Sequence, residues 1–214
     1  MITVRIWFKK QDEASYISLL DLQRVMQRVL KRSRLPVWHT LGFNPHIYMT
    51  FSCPLPLGQE SLCESVDVKT EEENPDFEAW KASLRAVMPA GIDVFLVEEA
   101  RMKAERIAEA EYIVALPVSA GSALDAYNAA VSAPVQKKSK RGMKTVELKE
   151  YIPAVSYREE NGELKIVLRL PASQELNLNP ALFIAFLASE YGVSADSASV
   201  LRTALLTSGG ENFR

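Results

Sequence analysis

The feature that most constrains the fold of this chain is an order of predicted elements that occurs twice. Through residue 97, hydrophobic periodicity predicts a strand, a helix, two strands, a helix and a strand, and the same order recurs after a charged connector. In each half an Asn-Pro pair, at Asn74 and at Asn179, predicts the start of the second helix. The duplicated order predicts an α+β fold of two tandem ferredoxin-like (βαββαβ) units with antiparallel sheets.

The length of 214 residues is sufficient for two such domains. We expect an N-terminal unit over residues 1–99, a connector over 100–110 and a C-terminal unit over 111–214. A hydrophobic fraction of 48% excludes a disordered chain. No apolar run reaches the ~18 residues of a membrane span, and the start reads as a strand rather than a signal peptide. The sequence therefore predicts a cytoplasmic protein with no membrane contact.

The first helix carries the clearest local signals. Ser18 followed by Asp21 predicts a capping box at its start, and Pro36 lies just past its end. Its apolar stripe consists of Leu22, Val25, Met26, Val29 and Leu30. Its basic stripe consists of Arg24, Arg28 and Lys31, and Arg32 and Arg34 extend it. Such a stripe is either the solvated face of an amphipathic helix or a surface that binds phosphates.

A second basic run follows the first helix of the second half, over residues 137–144, and as a single segment it reads as an exposed loop. If the two halves pack face to face, both basic runs would line one groove that could bind RNA. The predicted phosphate-binding residues are Arg24, Arg28, Lys31, Arg34, Lys138, Lys140 and Arg141.

The two histidines, His39 and His46, are the candidates for general acid-base catalysis, although a histidine in a turn also serves as a hydrogen-bonding residue. Phosphate-loop, dinucleotide-binding, hydrolase and radical-cluster motifs are absent from the sequence, so it predicts no cofactor. Cys53 and Cys63 have no neighbouring histidine cluster, which favours buried thiols over a metal site. A non-catalytic protein is therefore favoured over an enzyme.

Five motifs in the first third of the chain form an ordered set. They are Tyr16-Ile17-Ser18-Leu19-Leu20-Asp21-x-x-Arg24, Leu35-Pro36, Gly42-Phe43-Asn44-Pro45-His46, Leu55-Pro56-Leu57-Gly58 and Glu64-x-x-Asp67. This set resembles the family of radical SAM-linked (radical SAM-associated) bacterial proteins, except that Leu19 stands where that family has histidine and Ile47 where it has a second proline. The positions that carry the resemblance are Ser18, Asp21, Pro36, Gly42, Phe43, Asn44, Pro45, His46, Gly58 and Glu64.

The resemblance implies an accessory protein of a radical SAM enzyme, which relatives encode nearby or as a fusion. The function that it suggests is binding of tRNA or rRNA for modification or processing. One alternative is an endoribonuclease-like enzyme that uses His39 or His46, because tandem ferredoxin-like units with a basic groove are similar to the RNA endonucleases that process CRISPR repeats. The other is a protein-interaction adaptor that contacts its partner through the apolar loop 41–57 and binds no nucleic acid.

Overall fold

In a computed structural model that describes residues 1–139 and 142–214, the chain forms two compact units. The first comprises Met1–Ile107 together with Glu211–Arg214, and the second comprises Ala108–Gly210. The fold is mixed α+β, with four α-helices in the described ranges and mostly antiparallel strand pairing. None of these helices is long and apolar enough to cross a membrane.

The first unit has the order strand, helix, strand, strand, helix, strand that the sequence predicts. Its elements are β1 (Ile2–Lys10), α1 (Leu19–Arg32), β2 (Met49–Phe51), β3 (Glu60–Thr70), α2 (Phe77–Arg85) and β4 (Ile92–Glu99). The strands lie side by side in the order β4-β1-β3-β2, and all three pairs are antiparallel. Strand β1 is therefore central, and β2 and β3 follow each other in the chain as neighbours.

The core of the first unit lies between one face of this sheet and both helices. Alternate residues of β1, namely Val4, Ile6 and Phe8, are fully buried there, as the period of a strand requires. The helix residues in the same core are Leu22, Met26, Val29 and Leu30 of α1 and Trp80 and Leu84 of α2. The predicted apolar stripe of α1 is thus confirmed, with Val25 only half-buried, and the opposite face of α1 is left to solvent.

The other face of β1 carries a buried ion pair. The Arg5 guanidinium donates to both carboxylate oxygens of Asp67 on β3, at 2.7 and 2.8 Å, and to the Met102 carbonyl at 2.7 Å. The ring of Phe213 lies 4.4 Å from the guanidinium carbon and meets the Trp7 ring edge-on at 5.9 Å. These contacts attach the segment after β4 and the last residues of the chain to the first strand.

The second unit repeats the element order and inserts one hairpin. Its elements are β5 (Ile107–Pro117), α3 (Gly121–Ala129), β6 (Pro134–Ser139), β7 (Gly142–Glu147), β8 (Tyr157–Glu160), β9 (Glu163–Pro171), α4 (Pro180–Tyr191) and β10 (Ser199–Thr207). The main strands lie in the order β10-β5-β9-β8, while β6 and β7 form a separate antiparallel pair. Asn161 and Gly162, both at positive φ, make the predicted two-residue turn between β8 and β9.

Three local expectations differ from the structure. Helix α2 is capped by Asp76, whose carboxylate accepts from the backbone of residues 78 and 79, so the cap predicted at Asn74 is wrong. Proline at position 75 disfavours helical dihedral angles at Asn74, and the helix begins only after the next good capping residue. Strand β5 begins at Ile107, inside the predicted connector, because pairing with β9 orders this charged stretch. The basic run after α3 forms a hairpin, β6–β7, instead of a loop.

Candidate nucleic-acid interface

The start of α1 is the predicted capping box. The Ser18 hydroxyl accepts from the Asp21 backbone N–H at 3.2 Å and donates to the Asp21 carboxylate at 2.7 Å. Arg24, one turn further on, donates to the other carboxylate oxygen at 2.9 Å. The Ser18 hydrogen bond first, and then Arg24, lower the pKa of Asp21 from its ordinary value of 3.8. Because Asp21 stays ionised, it partly compensates the charge of Arg24.

The lowered pKa of Asp21 predicts an acid-dependent loss of stability. A carboxylate with a depressed folded-state pKa stabilises the fold above its unfolded value of 3.8, and this contribution disappears as the pH falls through the folded-state pKa. We expect wild type to be more stable than Asp21→Asn at neutral pH and the difference to close below pH 3.8. Chemical denaturation at several pH values measures this difference. A stability difference between wild type and Asp21→Asn that does not change with pH would contradict the prediction. When both proteins also carry Ser18→Ala, this difference should be smaller at neutral pH.

The exposed face of α1 carries the remaining basic residues. Arg28, Lys31 and Arg32 follow Arg24 at intervals that place them on one side of a helix, and Arg34 comes just after its end. All five are exposed, and among the described residues no carboxylate pairs with any of them except Arg24. Residues 19–34 contain five cations and one anion, in a chain of net charge −2. Residues 19–34 therefore carry a net charge of +4.

A shallow groove of about 290 Å³ runs along this face between α1 and the end of α2. Arg28, Arg32, Val25 and Val29 line its α1 side, and residues 86–89 form the opposite wall. Two guanidinium groups one helical turn apart, about 6 Å along the axis, present planar donor forks of the kind that match phosphate oxygens. The groove has the geometry of a site for an anionic group with an apolar body.

A two-stranded ribbon, residues 37–48, follows the end of α1. It is anchored to β3, since Trp38 N–H donates to the Lys69 carbonyl at 2.7 Å and Thr70 donates to the Pro36 carbonyl at 2.7 Å. At its base the Trp38 and Tyr48 rings meet edge-on at 6.2 Å, and the Lys69 ammonium lies 4.4 Å from the centre of the Tyr48 ring. The ribbon thus rises from a fixed base beside the basic end of α1.

The ribbon holds both candidate catalytic histidines and separates them. His39 pairs with Ile47, whereas His46 pairs with Thr40 on the next rung. Neighbouring rungs project side chains to opposite faces, so His39 and His46 do not face each other. The Nδ1 of His39 lies 3.1 Å from the Val37 carbonyl, and that of His46 lies 3.0 Å from the Thr40 hydroxyl. Both rings are hydrogen-bonded within the ribbon, and a catalytic role for either stays a prediction.

The structure brings two of the sequence motifs together. The Gly58 N–H donates to the Ser15 carbonyl at 2.9 Å, which places the Leu55–Gly58 motif against the entry to α1. Three large apolar residues around this contact, Tyr16, Leu20 and Leu57, are more than half exposed. Glu64, the first residue of the last motif, is buried on β3 opposite Phe8. It faces away from Asp67, as the alternation of a strand predicts.

The second basic run is placed on the β6–β7 hairpin, as far as the structure describes it. Lys138 on β6 is exposed, and Lys137 stands directly opposite Lys144 on β7. The Lys137 ammonium donates to the Asn177 carbonyl, which offsets the repulsion between these two lysines. The other two predicted phosphate ligands, Lys140 and Arg141, lie outside the described residues. Val135 and Val146 pair across the two strands, and these β-branched residues could have indicated a hairpin in the sequence.

Metal ligands are not grouped in the ranges 1–139 and 142–214. No cluster of three or more His, Cys, Asp or Glu side chains suited to a metal ion lies there. Cys53 is buried and Cys63 half-buried, and they are thiols rather than a disulfide. The candidate site therefore consists of a basic helix face, a groove beside it and an anchored ribbon, all within the first unit.

One comparison with known proteins covers the region in which the sequence motifs lie. A comparison with curated proteins gives no match. A family model described as "Uncharacterized protein conserved in bacteria (DUF2344)" matches residues 3–180, which is most of the chain. The matched region contains α1, the ribbon, the Leu55–Gly58 motif and the β6–β7 hairpin. The chain therefore belongs to this family of conserved bacterial proteins.

Proposed function

We propose that this protein is a non-catalytic accessory module that binds RNA, tRNA or rRNA, for modification or processing by a radical SAM enzyme. The observation that carries the proposal is the exposed face of α1, where Arg28, Lys31 and Arg32 have no carboxylate partner within the described part of the chain. Opposite charges three or four residues apart stabilise a helix, and no acidic residue lies at these spacings from Arg28, Lys31 or Arg32. Unpaired guanidinium groups on one face instead favour contact with phosphates.

The arrangement of strands supports a ferredoxin-like assignment for each unit. In the first unit the order β4-β1-β3-β2 places the first strand centrally, between the third and fourth. In the second unit β5 takes the same central place in the order β10-β5-β9-β8. Four-stranded α+β sheets of this kind serve as RNA-binding modules in other proteins, although a fold alone does not determine function. The functional argument therefore rests on the charged surface of α1.

The association with a radical SAM enzyme is supported by the motif resemblance alone. One surface offers a place for such a partner, namely the exposed apolar cluster of Tyr16, Leu20 and Leu57 beside the two motifs that the Ser15–Gly58 contact brings together. This cluster also supports the second candidate function, a protein-interaction adaptor without nucleic-acid contact. The two candidates differ in one measurable property, which is whether the purified protein binds RNA at low salt.

The test is the salt dependence of RNA binding in a triple variant of α1, Arg28→Gln/Lys31→Gln/Arg32→Gln. Each lost phosphate contact lowers the slope of log K against log salt by about 0.7–0.9, so we expect the slope to fall by about 2. Fluorescence anisotropy with labelled total tRNA, over a range of salt concentrations, measures this slope. The helix should remain folded, because these side chains are exposed and glutamine is a good helix former.

A matched control removes three cations elsewhere, in Arg85→Gln/Arg158→Gln/Arg169→Gln. These arginines are exposed, and each lies beside a carboxylate, so the control changes the net charge equally without touching α1. It should keep the wild-type slope. If the slope falls equally in the two triple variants, the effect comes from overall charge, and an α1 interface is rejected. If wild type does not bind tRNA at low salt, the adaptor becomes the better explanation, and a pull-down of the radical SAM enzyme is the next experiment.

A further inference from the structure

The tip of the ribbon exposes two large apolar side chains completely. Leu41 is 90% exposed and Phe43 is 105% exposed, although the unit that carries them has a well-packed core. An exposed phenylalanine gains nothing from the folded state, since its hydrophobic stabilisation depends on burial. A fully exposed aromatic ring on a defined loop is therefore a feature that calls for a binding partner.

The tip is held in one shape by its own hydrogen bonds. The Thr40 N–H donates to the His46 carbonyl at 2.8 Å, and the His46 N–H donates to the Thr40 hydroxyl at 3.2 Å. The His46 ring adds contacts from Nδ1 to the Thr40 hydroxyl at 3.0 Å and to the Asn44 carbonyl at 3.2 Å. Gly42, with φ of +127°, supplies the bend directly before Phe43. A ring displayed on such a closed loop loses little conformational freedom when it binds.

The surroundings of the tip favour a nucleobase over a protein pocket. An aromatic side chain such as Phe43 buries at most roughly 250 Å². Leu41 and Phe43 together therefore fall short of the about 800 Å² that each partner buries in a stable protein interface. The side chains next to them, Asn44 and His46, are polar and exposed. The ribbon also starts at the basic end of α1, beyond Arg34, and its six residues to the tip span about 20 Å. That length suits an RNA strand whose phosphates contact α1 while one of its bases lies at the tip.

We infer that Phe43 is a stacking platform for an unpaired base of the RNA whose phosphates contact α1. This inference rests on the proposed RNA-binding function and specifies its ligand as RNA with a single-stranded segment. Base stacking on an aromatic ring is tolerant of sequence, because every base has a π-face, and it adds to phosphate binding without changing its salt dependence. In an intact duplex the bases are stacked on each other and are not accessible to the ring.

The experiment compares binding of two probes, a short single-stranded RNA and a blunt duplex of the same sequence, by wild type and by Phe43→Ala. Loss of one stacked base corresponds to a decrease in affinity of roughly 5- to 150-fold. We expect Phe43→Ala to lose about 10-fold for the single strand, to keep its salt slope and to bind the duplex like wild type. Phe43→Trp should restore the affinity, and Val131→Ala, which truncates another exposed apolar residue, should have no effect.

The outcomes separate failure of this inference from failure of the proposed function. If wild type binds single-stranded RNA with a steep salt dependence and Phe43→Ala binds equally well, stacking is overturned and the α1 interface stands. An equal loss for the single strand and the duplex overturns stacking as well, because the ring would then not distinguish unpaired bases. If wild type binds neither probe, both proposals are overturned. Folding does not confuse these results, since the Phe43 side chain is fully exposed.

Discussion

Replacing Asp67 by alanine is expected to lower the free energy of unfolding by about 3–5 kcal/mol. The Arg5 guanidinium is completely buried, and Asp67 is its only carboxylate partner among the described residues. Without Asp67 the positive charge stays in a low-dielectric environment, beside the neutral Met102 carbonyl and the Trp7 and Phe213 rings. Burying an uncompensated charge is much less favourable than exposing one. Urea denaturation, followed by circular dichroism, measures the change.

Two further variants show whether the effect belongs to the buried charge. Asp93→Ala removes the carboxylate from an exposed pair with Arg85, and its effect should stay below about 1 kcal/mol. The double variant Arg5→Met/Asp67→Leu replaces the pair by apolar side chains of similar size, and it should regain much of the lost stability. A loss of less than about 1 kcal/mol in Asp67→Ala would mean that solvent reaches the guanidinium and that the pair does not stabilise the fold.

Gly91→Ala is expected to destabilise the first unit by about 3 kcal/mol, from two causes. Gly91 has φ of +77°, which strains any residue with a side chain by about 1–2 kcal/mol. A methyl group at this position would also lie 2.7 Å from the Gln11 carbonyl oxygen and 2.8 Å from the Ala14 side chain. Crowding of this kind typically adds about 1–3 kcal/mol. Thermal and urea denaturation of the variant measure the sum of these effects.

Gly58 provides a matched control for the crowding at Gly91. Its φ is +78°, but a methyl group there would have no atom of another described residue within 4 Å, apart from its two chain neighbours. Gly58→Ala should therefore show only the backbone strain, about 1–2 kcal/mol. If the two variants are destabilised equally, the close approach of Gln11 and Ala14 is relieved by a small shift of the chain, and the crowding contributes nothing.

The parts of the fold that follow from neighbouring residues could be predicted from the sequence. Ser18 and Asp21 lie one turn apart, so their reciprocal bonds depend on α1 alone. The start of α4 at Asn179 and the turn at Asn161-Gly162 are local in the same sense. The periodicity of α1 likewise predicted both its buried stripe and its exposed basic face. In these cases the sequence contains the complete physical reason for the structure.

The parts that depend on distant residues could not be predicted in this way. The pairing of Arg5 with Asp67 depends on the register of β1 and β3, which the pattern of either strand does not specify. Strand β5 extends into a charged stretch because β9 lies beside it, and β9 is far away in the chain. The exposure of Phe43 contradicts the usual burial of phenylalanine, so periodicity gives no warning of it. The sequence thus indicated the basic helix and the apolar loop 41–57 as contact surfaces, but it did not show that Phe43 lies fully exposed at the tip of a ribbon.

The position of Phe213 determines the order in which the first unit can be completed during synthesis. A ribosome makes β1, both helices and β4 before it begins the second unit, and it adds Phe213 only after the whole second unit has been made. Until then the Arg5 guanidinium lacks the ring that covers it. Throughout translation of the remaining half, the nascent N-terminal unit therefore carries the Arg5–Asp67 ion pair without the Phe213 ring. A fragment that stops at residue 107 would lack this ring permanently.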